Sequence, residues 1–371
     1  MKRITVVIIV TVITVFLLCG TVGAITPSID EIYSEQYNIS GVNSLKDVLP
    51  DEVSEMLAEI DISSSDASWT EYFTPKNIFQ NIWSFFKSGG ARPFTAMLTC
   101  LAVLLFTTAV EGFYSENNTV KYVLGIGVSA AVVLPAASTL KACVSAVSAA
   151  GVFMLSFIPI YAAILVSRGK SLTAAGFSTV MLAVSEGVSA LCSFCLVPLT
   201  GMQLGLSVAG STLTEINVQS IGNSIKKASM WTLSFASAVL LGILGIQTVV
   251  GGAADTLSSK TAKFILGTAV PVVGNTVGEA LATVRGCVKL LGSSVAVYGV
   301  VALVLIILPT VIELFLWRIS LSLSSSAAEL LGQTKAAALI RSVDAAVSFI
   351  LGVIIMVGIL FIISLTVVAV I

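Results

Sequence analysis

The chain has 371 residues, of which 56% are hydrophobic and only 11% are charged. A soluble domain carries about a quarter charged residues, so this composition indicates a protein whose main solvent is lipid. The sequence contains no histidine, which removes the usual general base at neutral pH and the commonest metal ligand. Its basic residues form no dense cluster of the kind that neutralises a nucleic-acid backbone. We therefore expect no catalytic residue, no metal site, no cofactor and no nucleic-acid partner.

Residues 1–24 have the pattern of a secretory signal segment. Two basic residues precede an apolar run from Ile4 to Leu18, and Val22-Gly23-Ala24 supplies the small residues that a signal peptidase requires. The segment is a cleaved signal peptide or, alternatively, an uncleaved signal anchor. In both cases the chain that follows it is exported.

Residues 25–92 are predicted to form an acidic extracytoplasmic region. Four bases against eleven acids give it a local net charge of −7. Apolar residues at helical spacing in Asp51–Ile60 predict a short amphipathic helix. A second helix is predicted to begin at Thr74-Pro75, with proline at the first helical position, and Gly89-Gly90 is expected to form a hinge before the first membrane span.

Residues 93–371 are predicted to form an all-α polytopic bundle of about six or seven transmembrane helices. A hydrocarbon core of about 30 Å requires about 20 helical residues, and lipid offers no partners for unpaired backbone groups. The apolar blocks that qualify are Phe94–Val110, Val120–Leu140, Val144–Val166, Leu172–Leu199, Met230–Val250, Leu290–Phe315 and Val347–Ile371. With the N-terminal region outside, seven crossings place the Arg168-Gly169-Lys170 turn in the cytoplasm, as the positive-inside tendency prefers.

Three prolines in apolar surroundings predict broken helices, because proline removes a backbone donor and kinks a helix. Two of them, Pro159 and Pro309, lie within predicted spans. The third, Pro271, lies in a stretch (253–287) that is too polar for a plain span and too apolar for a plain loop. This stretch predicts a re-entrant helical hairpin that turns near Pro271–Gly274, or alternatively a cytoplasmic pair of amphipathic helices joined at Pro271.

Ionisable residues around this hairpin are the candidate transport site, since interrupted helices often build substrate sites in transporters. The candidates are Asp255, Lys260, Lys263 and Glu279, with Pro271 and Gly274 at the turn. A further candidate, Glu186, lies midway through an apolar block with no charge within a helical turn. An acid at that depth is costly and indicates function, unless Gly187 and Pro198 break the segment and place Glu186 at an interface.

A 50-residue run resembles the stage III sporulation protein AE family of endospore-forming bacteria. It reads GILGIQTVVGGAADTLSSKTAKFILGTAVPVVGNTVGEALATVRGCVKLL from Gly242 to Leu291. The stretch FIPIYAAILV at Phe157–Val166 and the order of the elements support the resemblance. It implies a membrane component of a multi-protein complex in the mother-cell-derived membrane around the forespore. The implied partners are other stage III sporulation membrane proteins encoded with it, together with membrane lipid.

Two functions remain open at this point. The first is a subunit of a channel or secretion-like apparatus that joins mother cell and forespore, with the polar groups named above near a polar path. The second is a non-conducting scaffold that anchors and assembles the other subunits through the acidic exported region. An enzyme is not expected, because neither paired intramembrane acids nor a serine and histidine pair is visible in the sequence.

Overall fold

A computed structural model describes most of the chain beyond its first 32 residues. The described residues are 33–34, 37–58, 75–113, 118–191, 197–212, 274–369 and, between them, 224, 227–228, 231, 234–235, 237–239, 242–243, 245–246, 250 and 253–255. The predicted signal segment and the turn of the predicted hairpin at Pro271 lie outside these residues.

Helices make up most of the described part of the chain. A 3-10 helix at Val42–Val48 is followed by α1 (Asp51–Ala58), α2 (Pro75–Phe113), α3 (Asn118–Ser167), α4 (Ser171–Leu191), α5 (Val197–Thr212), α6 (Gly274–Leu330) and α7 (Thr334–Ala369). The helices α6 and α7 form a central hairpin, α2 and α3 pack against α6, and α4 packs against α3. The predicted all-α class is confirmed.

Five of these helices are long and apolar enough to cross a membrane, counting only the described residues. Their span-length segments are Gly89–Phe113, Tyr122–Ser167, Ser171–Ala190, Lys289–Leu330 and Thr334–Thr366. The predicted span at Met230–Val250 is described at scattered positions and is not among these five. The described chain therefore forms an all-α membrane protein.

The two spans predicted at Val120–Leu140 and Val144–Val166 are a single helix, so the prediction of two crossings is wrong. The helix α3 continues without a turn from Asn118 to Ser167. Its 50 residues correspond to a length of about 75 Å, and a chain cannot cross back without reversing direction. Lys141 separates the two apolar blocks in the sequence, but lysine is a good helix former and does not end the helix.

The predicted hinge at Gly89-Gly90 is also wrong, because α2 runs straight through both glycines. Both residues lie against α6 instead. A Cβ atom at Gly89 would lie 3.7 Å from the Cβ of Glu313, and one at Gly90 would lie 3.5 Å from Cδ1 of Leu316. A Cβ atom at either position would make ordinary van der Waals contacts, and the glycine pair lies at the interface of the two helices, where small residues are common in membrane bundles.

The predicted helix breaks at Pro159 and Pro309 do not occur. Pro159 and Pro135 lie inside α3, and Pro309 lies inside α6. A proline removes one backbone hydrogen bond, while the remaining bonds of a long helix and its packing against neighbours hold the chain helical on both sides.

The described part of the region predicted to be exported packs against the bundle rather than standing apart from it. The 3-10 helix contacts α3, and α1 contacts α6. The predicted amphipathic helix is confirmed as α1, in which Val53 and Leu57 are buried while three acids of the same helix are exposed, namely Asp51, Glu52 and Glu55.

Aromatic side chains fill the contact between α3, α4 and α6. The ring centroids of Phe157 and Tyr161 are 5.4 Å apart, and those of Tyr161 and Phe177 are 5.5 Å apart. The ring of Phe157 lies against Gly299, where a Cβ atom would be 2.5 Å from its Cε2. This packing therefore requires glycine at position 299.

A Gly299→Ala variant should unfold at a lower temperature than the parent protein, measured by intrinsic fluorescence in detergent. Overpacking a core in this way costs about 1–3 kcal/mol, which outweighs the gain in helix propensity of about 1 kcal/mol. Gly151→Ala is the matched control, because a Cβ atom there would meet nothing within 4 Å. Equal unfolding temperatures for the two variants would contradict the packing.

Candidate functional site

Three span-length helices come together at the turn that joins α3 to α4. Gly169 in this turn has a φ of +79°, a left-handed conformation that glycine adopts without steric cost. The N–H of Gly169 donates to the carbonyl of Val166 at 2.8 Å, and that of Lys170 donates to Leu165 at 3.0 Å. These bonds close the end of α3 and let α4 start in the reverse direction.

Asp255 caps the start of α4 from a distant part of the sequence. Its Oδ1 accepts a hydrogen bond from the N–H of Leu172 at 3.0 Å, and its Oδ2 accepts one from the N–H of Thr173 at 2.8 Å. Two of the orphan donors of the first helical turn are thereby satisfied, and the carboxylate charge complements the helix dipole. The predicted transport candidate thus has a structural role here.

Opposing effects act on the pKa of the Asp255 carboxyl. Burial alone would raise it, because a buried carboxylate loses its hydration. The hydrogen bonds from Thr173 and Leu172 and the positive charge of Lys170 outweigh that effect, so the pKa is lowered from its ordinary value. The carboxyl is therefore ionised at neutral pH, as its capping role requires.

Arg168 joins the same turn to the start of the span in α6. Its Nη2 donates to the carbonyl of Lys289 at 2.6 Å. The guanidinium lies over Gly292, where a Cβ atom would be 2.9 Å from Nε, so the glycine makes room for it. Burial lowers the pKa of Lys170, and the charges of Arg168 and Lys289 lower it further against the opposing charge of Asp255. Three cations thus lie close enough to repel one another.

Glu186 lies on the outer face of α4 and is exposed. It belongs to the span-length segment Ser171–Ala190. Fourteen residues separate it from Leu172, which corresponds to about 21 Å along the helix. Glu186 and Asp255 therefore do not form one site.

A second acid within a span, Glu313 of α6, was not predicted as a site residue from the sequence. Its Oε1 is buried, and the indole of Trp317, one helical turn further on, lies close enough to interact with the carboxyl. The charges of Arg92 in α2 and of Glu313 act on each other, and Cys143 of α3 is also near. The rule that singled out Glu186 also applies here, since Glu313 lies in the apolar block Leu290–Phe315.

The remaining predicted site residues fall outside what the structure describes or lie at a helix start. Lys260, Lys263 and Pro271 are outside the described residues. Gly274 begins α6, and Glu279 lies in its second turn with its side chain outside the description. Within the described part of the chain, no group of three or more histidine, cysteine, aspartate or glutamate residues is placed to hold a metal ion.

The span-length helices and the polar groups at their ends define a polytopic helical membrane protein. The family model for Stage III sporulation protein AE matches residues 56–371, so the chain belongs to this family and the resemblance read from the sequence is confirmed. Stage III sporulation protein AE of Bacillus subtilis (strain 168) is 26% identical over 216 residues. The matched region covers 58% of this chain. The chain spans about half of the relative's length, namely 54%. No solved structure matches the chain.

Proposed function

We propose that the protein is a membrane subunit of the stage III sporulation complex that contributes to a channel or secretion-like apparatus between mother cell and forespore. It acts in the mother-cell-derived membrane around the forespore, together with other stage III sporulation membrane proteins encoded with it. Family membership supports the sporulation role, and the span-length helices support the membrane location.

The uncovered carboxylate of Glu186 is the observation that carries the channel role. Glu186 lies four residues before the end of the span-length segment Ser171–Ala190, and an acidic side chain within a membrane segment is costly to place against lipid. The same face of α4 exposes Leu182 one turn before Glu186, and its other exposed residues are small or hydroxylic, among them Ala175, Thr179, Ala183 and Ser189. A water-lined path between subunits fits such a face.

A non-conducting scaffold is the second candidate, and two observations favour it. Asp255, a predicted transport residue, serves as a helix cap. The acids of α1 point outward from a region that is itself held on the bundle, which leaves a charged surface for the assembly of other subunits.

Deletion of the gene is expected to leave vegetative growth normal and to stop development after the forespore is engulfed. The measurements are the growth rate and the count of heat-resistant spores, with microscopy to time the arrest. Normal sporulation in the deletion strain would rule out the proposed function in both forms.

Substitutions then separate the channel from the scaffold. In the channel, Glu186→Gln should abolish heat-resistant spores although the protein accumulates and still joins its partners, while Ser189→Ala on the same face should be silent. In the scaffold, Glu186→Gln should be silent, and neutralising the acids of α1 as Asp51→Asn, Glu52→Gln and Glu55→Gln should be the damaging change. These three acids are exposed, so the neutralised α1 should still fold.

A further inference from the structure

The basic residues at the α3–α4 turn lie where three membrane segments end together. The span-length segment of α3 ends at Ser167, that of α4 begins at Ser171, and that of α6 begins at Lys289. The hydrogen bond from Arg168 to the carbonyl of Lys289 joins these ends directly. The 20-residue segment of α4 has the length of one hydrocarbon core, and its start at Ser171 is the reason to assign this turn to the headgroup layer.

The charge of this cluster is uneven. Its members are the three bases Arg168, Lys170 and Lys289 and the acid Asp255, which leaves a net charge of +2. Both carboxylate oxygens of Asp255 already accept backbone N–H groups of α4. Arg168 and Lys170 are half-buried, and Lys289 is exposed. The cluster therefore presents an excess of positive charge at this end of the bundle.

We propose that this basic end of the bundle binds the headgroup phosphate of an anionic phospholipid. Basic pockets between transmembrane helices attract such headgroups, and lysine ammonium groups on flexible stems bind phosphate as point charges. Arg168, held by α6, fixes the turn so that Lys170 and Lys289 lie on the same side.

Apolar neighbours of the turn favour a lipid over a free anion. Val166, two residues before Arg168, is 53% exposed, and Leu172, two residues after Lys170, is 56% exposed. Both flank the cations on the outer surface of the bundle and provide contacts for acyl chains. A soluble anion would make no use of them.

The test is lipid retention by the full-length protein, purified in a neutral detergent and washed free of lipid. It is then mixed with phosphatidylglycerol or with phosphatidylcholine, and bound lipid is counted by native mass spectrometry. We expect clear preference for phosphatidylglycerol. One lysine near an anionic surface contributes a factor of about five, so Lys170→Gln with Lys289→Gln should weaken phosphatidylglycerol binding roughly 30-fold.

The matched control replaces two exposed lysines elsewhere, Lys141→Gln with Lys335→Gln, and should retain the preference. Equal loss in the control, or equal binding of phosphatidylcholine by the parent protein, would overturn the site. Thermal protection by inorganic phosphate as strong as that by phosphatidylglycerol would overturn the lipid as occupant. If the double variant does not stay folded, Lys289→Gln alone should still lose about fivefold in affinity, and an unchanged affinity would also overturn the site.

Discussion

An Asp255→Ala variant is expected to lose about 2–4 kcal/mol of unfolding free energy and to unfold at a lower temperature in detergent. Removing a helix cap costs about 1 kcal/mol, and a buried donor left without an acceptor adds about 1–3 kcal/mol. The N–H group of Thr173 is such a buried donor, whereas that of Leu172 is part-buried. Segment 253–255 would also lose its attachment to the α3–α4 turn.

A conservative replacement of Asp255 separates this capping role from a general effect of charge. Asp255→Asn keeps one acceptor oxygen and should fall between the parent protein and Asp255→Ala. The exposed Asp47 supplies the control, since Asp47→Ala should change the unfolding temperature little.

The pH dependence of this stabilisation follows from the direction in which the pKa of Asp255 is shifted. The pKa of Asp255 is lowered in the folded protein, so its stabilisation is present above the ordinary aspartate value of about 3.9 and is lost as the pH falls through the lowered value. The difference between parent and Asp255→Ala should therefore be constant from about pH 5 to 8. A difference that disappeared within that range would contradict the cap.

The existence of the membrane helices could be predicted from the sequence, because long apolar runs and the need to pair backbone groups in lipid leave no other structure. Whether each helix continues without a break could not be predicted from the sequence. Lys141 and Gly89-Gly90 look like breaks in a one-dimensional reading, but a lysine leaves a helix intact and a glycine pair packs against a neighbouring helix. Whether such residues interrupt a helix depends on contacts with residues far away in the chain.

The residues of the candidate site also differ in how far the sequence alone could predict them. Asp255 was found as a charged residue in an apolar stretch, but its partner Thr173 is 82 residues away, and no local pattern joins the two. Glu313, in contrast, could have been found from the sequence, since it is an acid inside an apolar block. Its burial against Gly89 of α2 belongs to the fold and not to the local sequence.

The single helix α3 changes the expected topology. The predicted export of the N-terminal region, with one crossing by α2 and one by α3, would place the Arg168-Gly169-Lys170 turn outside, opposite to the sequence-based expectation from two crossings. Tyr37 of the N-terminal region is close enough to Tyr298 of α6 for an electrostatic interaction, and Tyr298 lies about 14 Å along the helix from Lys289. The described N-terminal region and the turn thus share one end of the bundle.

Reporter fusions at the two turns should therefore give opposite results. Gly169 and Gly332 are both exposed turn glycines with positive φ, and along α6 the two turns are separated by about 64 Å, twice the hydrocarbon thickness. Alkaline phosphatase inserted at Gly169 should be active, whereas at Gly332 it should be inactive and a green fluorescent protein should fluoresce.

The outcome decides between two physical tendencies that disagree here. The positive-inside rule counts Arg168, Lys170 and Lys289 and favours a cytoplasmic turn at Gly169, whereas export of the N-terminal region through two crossings favours an external one. The first helix usually dominates orientation, which is why we expect the external turn. Active phosphatase at Gly332 with none at Gly169 would show that residues 25–92 are not exported, and activity at both positions would contradict the continuous helix α6 itself.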